Sequence, residues 1–136
     1  MKKKMLFLLL SLIALSASSQ RVTEITGDGV RYNGRPIVID IYASWCQPCR
    51  IYSPIFERVA RAYAGRVDFY RMDCEDPDAV DWFIDNIDID INSVPTTVFL
   101  YSPYEGAGLQ SHAESGLMNY DELESYVGSF LSKHRD

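Results

Sequence analysis

Residues 37–43, IVIDIYA, form a nearly continuous apolar run rich in β-branched side chains. A strand of that composition belongs inside a sheet covered on both faces, because either face left in water would expose large aliphatic groups. One acid, Asp40, interrupts it. Helical covers must therefore be found on either side of this strand. The first follows at once: from Gln47 to Ala64 the apolar residues Ile51, Ile55, Val59, Ala60, Ala62 and Tyr63 recur at helical spacing, with Gly65 as the stop. Pro54 predicts a kink about one turn into that helix.

The remaining chain alternates in the same way. Residues 67–73 read as a strand, Pro77 opens a helix running to about Ile87, and residues 96–101 read as another strand. Between them IDIDINS alternates with period two. After a turn at 103–108, residues 109–115 return as an antiparallel strand. Asn119 and Glu122 have the spacing of a capping box for a last helix ending near Lys133. Upstream, residues 20–36 are polar and turn-rich, with one or two short strands. The order implies an α/β chain with a mixed central sheet and helices on both faces, and no repeat, linker or second domain.

The first residues set the compartment. Lys2, Lys3 and Lys4 precede an apolar run from Met5 to Leu15 and then small residues ending near Ser19, the pattern of a secretory signal. The run is well short of the roughly 20 residues a membrane span needs. Residues 1–19 are thus expected to be a cleaved signal peptide, with 20–136 as a single domain in the periplasm or secreted and no stable membrane insertion. Loss of the three lysines leaves 10 Lys and Arg against 19 Asp and Glu, a net charge of about −9, which argues against nucleic acid as a partner. Eight acids (Asp73, Glu75, Asp76, Asp78, Asp81, Asp85, Asp88, Asp90) fall within 18 residues. Such a run reads first as a solvated face.

Cys46 and Cys49 stand at the junction of the buried strand and the first helix. There the unpaired N–H groups and the helix dipole favour a thiolate on Cys46. An unperturbed thiol ionises near 8.5, whereas such settings bring the value to about 3.5–7.5. A reactive Cys46 and a better buried Cys49 behind it make a reversible dithiol that needs no cofactor. A structural bridge or half of a zinc site has the same spacing. Zinc would need a second pair, and Cys74, His112 and His134 are scattered. Cys74, following a strand, reads as a small buried hydrophobe. Asp88, Asp90 and Asn92 mimic the start of a calcium loop, but Ser93 replaces its glycine and Phe99 its bidentate acid. No metal is expected.

Taken together, the strand with Asp40, then WCQPC, Pro54 in the helix and SVPTT at 93–97 resemble the thioredoxin family over residues 36–133. The resemblance implies a thioredoxin fold. It makes Cys46 the nucleophile, Cys49 the resolving thiol, and Gln47 and Pro48 the active-site loop. Trp45, Val94 and a cis Pro95 would meet the substrate, whose extended segment can pair with the exposed backbone of Val94. Asp40 becomes the buried acid that takes the resolving thiol's proton. Arg71 stands where the family has a lysine partner for that acid, and a permanent guanidinium should lower its proton affinity. The chain departs from the family in a strand-like amino-terminal segment, a longer stretch between Asp73 and Pro95, and a larger hairpin after Tyr101.

The function this implies is an exported thiol–disulfide oxidoreductase that reduces or isomerises disulfides of exported proteins as a monomer, supplied by a membrane electron donor. Pro48, with no histidine between the cysteines, favours reduction. Gln47 and Val94 leave room for a protein-disulfide oxidase of the same fold, and a binding or chaperone module without turnover is a further alternative.

Overall fold

A computed structural model describes residues 21–135; the expected signal peptide lies outside the described residues. Five strands and three helices follow one another as β1 (Val22–Glu24), β2 (Ile37–Tyr42), α1 (Gln47–Ala62), β3 (Asp68–Asp73), α2 (Pro77–Asn86), β4 (Thr96–Tyr101), β5 (Gln110–Ser115) and α3 (Tyr120–Lys133). The strands form one sheet in the order β1-β3-β2-β4-β5. β1, β3 and β2 run parallel, whereas β4 is antiparallel to β2 and β5 antiparallel to β4. The apolar run at 37–42 is the central strand, which accounts for its lack of a polar face.

Alternation along β2 divides the core. Val38 joins Tyr52, Phe56, Val59, Phe99, Leu123, Val127 and Phe130 beneath α1 and α3. Ile37, Ile39 and Ile41 point the other way, to Met72, Ala79, Phe83 and Val98 beneath α2. Phe99 stacks on Phe130 with ring centroids 4.8 Å apart, fastening α3 to the sheet.

The structure corrects one sequence expectation. The buried face of α1 is Cys49, Tyr52, Phe56, Val59 and Ala60, while Ile51 is exposed and Ala62 faces solvent. Two aromatic rings fill the space over the sheet, and that sets the helix rotation in place of the aliphatic spacing. Residues 87–92 keep their alternation as burial, with Ile87, Ile89 and Ile91 turned inward, yet form no strand. Period two here records which side chains face the core; a strand also needs a neighbour to pair with, and these residues join none of the five.

Each helix start is chemically specified. Asp76 caps α2 by accepting from the Asp78 and Ala79 N–H groups. Asn119 and Glu122 form the reciprocal capping box of α3, as their spacing predicted. α1 is capped by Cys46 itself.

Candidate active site

The site is built where β2 ends and α1 begins. Cys46 N donates to the Ala43 carbonyl at 3.2 Å. An Arg50 Nη2 contact to the Ser44 carbonyl at 2.9 Å holds the intervening turn. Pro48, within the first two helical positions, needs no hydrogen-bond partner for a backbone N–H it lacks. Cys46 then sits in extended backbone as N-cap, its Sγ accepting from the Cys49 N–H at 3.2 Å. The two cysteines are joined as a disulfide, with Cα atoms 5.3 Å apart. Both residues are buried, at 4% and 3% relative exposure, so the expected difference in their burial is absent. Trp45, two-thirds exposed, flanks them, and Gln47 and Pro48 are at the surface.

The loop before β4 completes the surface. The Val94–Pro95 peptide is cis. Pro95 is buried and Val94 half-buried, with the Val94 carbonyl oxygen 3.7 Å from Cys46 Sγ. Thr96 Oγ1 donates to the Ser93 carbonyl at 2.7 Å, and Gly116 N to the Pro95 carbonyl at 2.8 Å, fixing the loop from both sides.

Asp40 lies on β2 on the α1 side, paired in register with Arg71 of β3 and Thr97 of β4. It is 1% exposed and neither carboxyl oxygen has a hydrogen-bond partner. Burial pushes its pKa up to about 7; the charge of Arg71 lowers it and that of Glu24 raises it, both as smaller effects. Arg71 therefore acts in the expected direction, but desolvation wins. The direct contacts of Arg71 are elsewhere. Its guanidinium lies 4.4 Å from the Tyr42 ring centroid, Nε is 3.8 Å from Glu24 Oε2, and Nη2 is 3.2 Å from Ser53 Oγ. The Tyr42 hydroxyl donates to Glu24 Oε1. Glu24 and Tyr42 were not singled out from the sequence. Their contact with Arg71 arises from the parallel register of β1, β3 and β2, which leaves no local signature.

A cavity of about 350 Å³ lined by Tyr42, Cys49, Arg50, Ser53, Pro54 and Arg71, among others, reaches Cys49 from the α1 side. Cys74 is half-buried and packs against the same small cluster as Cys46, Cys49 and Val94. Burial, Asp73 and Glu75 push its thiol pKa up. Among the described residues no group of His, Cys, Asp and Glu could hold a metal ion, and no helix is long and apolar enough to cross a membrane.

Comparison with known proteins agrees with this architecture. A family model described as Thioredoxin matches residues 23–128. A thioredoxin of Borreliella burgdorferi is 32% identical over 97 residues, spanning 71% of this chain and 74% of its own length. A chloroplastic M-type thioredoxin of Pisum sativum is 34% identical over 65 residues, and there this chain spans 34% of the relative. Among solved structures, the Trx4 domain of ERdj5 superimposes with a TM-score of 0.66 at 19% identity, covering 81% of this chain and 95% of that domain. Chloroplastic thioredoxin z gives 0.65 at 22% identity over 82% and 95%. These two likenesses concern the fold.

Proposed function

Because the chain belongs to the thioredoxin family, we propose that it is an exported thiol–disulfide oxidoreductase that reduces or isomerises disulfides in other exported proteins. The observation that carries this reading is the Cys46 sulfur, placed as the cap of α1 within 3.2 Å of a backbone N–H and beside the Val94 carbonyl. Charge on that atom in the reduced state is favoured by the helix start.

The Cys46 thiolate attacks one sulfur of a client disulfide, forming a mixed disulfide and expelling the other client sulfur as a thiolate. Cys49 passes its proton to Asp40 and attacks Cys46 Sγ. The Cys46–Cys49 bond closes and the client leaves with two more electrons, its thiolates taking protons from solvent. A membrane donor returns two electrons to the disulfide. Trp45, Val94 and Pro95 form the surface on which the client strand lies. The basic, apolar and small-residue pattern of residues 1–19 supports export. Purified exported protein should accordingly begin at Gln20 on amino-terminal sequencing.

Equilibration with glutathione tests the direction of exchange: a potential of about −200 mV or below is expected, and about −150 mV or above assigns the chain to protein oxidation instead. Gln47 and Val94 are the residues that favour that second reading. Replacing Cys49→Ser should trap clients on Cys46 as mixed disulfides, an adduct that a binding module without turnover does not form.

A further inference from the structure

On the α2 side of the dithiol a cleft of about 310 Å³ opens between α2 and residues 87–92. Ile41, Met72, Cys74, Val80, Ile84 and Asp90 are among its lining residues. Ile84 is 68% exposed, an apolar side chain left in water at the rim. Cys74 and Val94 pack both against the α2-side core and against the cluster holding Cys46 and Cys49, so the cleft and the redox site share a wall. The raised pKa of Cys74 keeps its thiol neutral, part of the cleft's apolar lining.

The charge around the cleft has one sign. No Lys or Arg occurs between Arg71 and Lys133, while eight carboxylates fall between Asp73 and Asp90. Among the described residues the ion pairs are Arg35–Asp68, Arg71–Glu24 and His112–Glu114, and none uses those eight. Asp90 lines the cleft from the loop, and Asp81 stands on α2 three residues before the lining Ile84, a spacing that makes the two neighbours on the helix surface. With Asp90 at the recess and seven further acids, none of them in an ion pair, in the same 18-residue stretch, the local potential is negative and a cationic partner relieves it.

We infer that this cleft docks a segment of the client protein in which an apolar side chain is flanked by Lys or Arg, close to the disulfide being exchanged. The inference rests on the oxidoreductase reading above and names the substrate class of that site. The recess has room for one or two side chains, which fits a segment better than a folded face. A second copy of the chain brings a net charge of −6, the same sign as the cleft. Attraction across the rim speeds encounter, and the apolar side chain in the recess sets the register.

The test uses the oxidised chain and two cysteine-free peptides, alike except that one flanks a leucine with lysines and the other with glutamates. Calorimetric titration should show the lysine peptide binding about tenfold tighter at low salt, the gap narrowing to about twofold near 0.5 M salt. Ile84→Ser should weaken the lysine peptide about fivefold at both salt concentrations, and Asp81→Asn with Asp90→Asn by a similar factor at low salt alone. Equal binding of the two peptides, or a preference that neither variant moves, overturns the inference. So does a dimer in sedimentation that Ile84→Ser dissolves, since the occupant is then a second copy. The peptides lack cysteine, so failure here is separate from failure of the redox reading. That reading is tested by exchange of the unaltered chain with glutathione disulfide.

Discussion

Asp40 is a carboxyl with no partner for either oxygen, in a place where nearly every other side chain is apolar. Raising its pKa from 3.8 to about 7 ties folding to protonation. A carboxyl whose folded pKa lies above its unfolded value contributes fully below the unfolded value, and its contribution is lost as pH rises through the folded one. The sum is about 4 kcal/mol, fully present below about pH 4 and gone above about pH 7. Urea unfolding from pH 4 to pH 8 should show this fall for the natural chain. Asp40→Asn should flatten it, leaving the variant the more stable of the two at pH 8. A parallel pH dependence in both would place the titrating group elsewhere. The acid's position was legible because it breaks an apolar run. The behaviour of Arg71 was legible only in sign, since which effect prevails depends on how completely water is excluded, and Glu24 and Tyr42 draw the guanidinium toward themselves.

Helix ends were the most readable elements, because a cap depends on residues three apart and little else. For α3, Asn119→Ala removes the acceptor for the Glu122 N–H, 2.9 Å away, and should cost about 1 kcal/mol in chemical denaturation. A cost near zero would show that the packing of Leu123, Val127 and Phe130 on the sheet holds the helix without its cap. The rotation of α1 was less readable. Ile51 and Ile55 suggested one apolar face, but Tyr52 and Phe56 occupy the interior, with the Tyr52 hydroxyl 2.7 Å from Thr97 Oγ1 on β4. A tyrosine can go inside only if its hydroxyl finds such a partner, and that partner is 45 residues away in sequence. The alternation of residues 87–92 likewise reports burial on one side, which is local, and not strand pairing, which is not.

At the scale of the whole molecule, charge is divided along the chain, with the stretch from 72 to 132 free of Lys and Arg. Carboxylates with no cation to pair with repel one another, and added salt screens that repulsion. The melting temperature should therefore rise from about 10 mM to about 300 mM sodium chloride, by a few degrees for about 1 kcal/mol of relieved repulsion. A fall would mean that ion pairs such as Arg71–Glu24 outweigh the repulsion. The mixed sheet itself could be inferred early, since one strand apolar on both faces, with helices before and after its neighbours, leaves few arrangements. That same strand, β2, sits in the middle of the sheet and delivers the sulfurs directly from its end. A disulfide mounted on the tip of a strand that is paired along both edges borrows the stiffness of the whole sheet, so its geometry should be insensitive to substitutions on the distant surface.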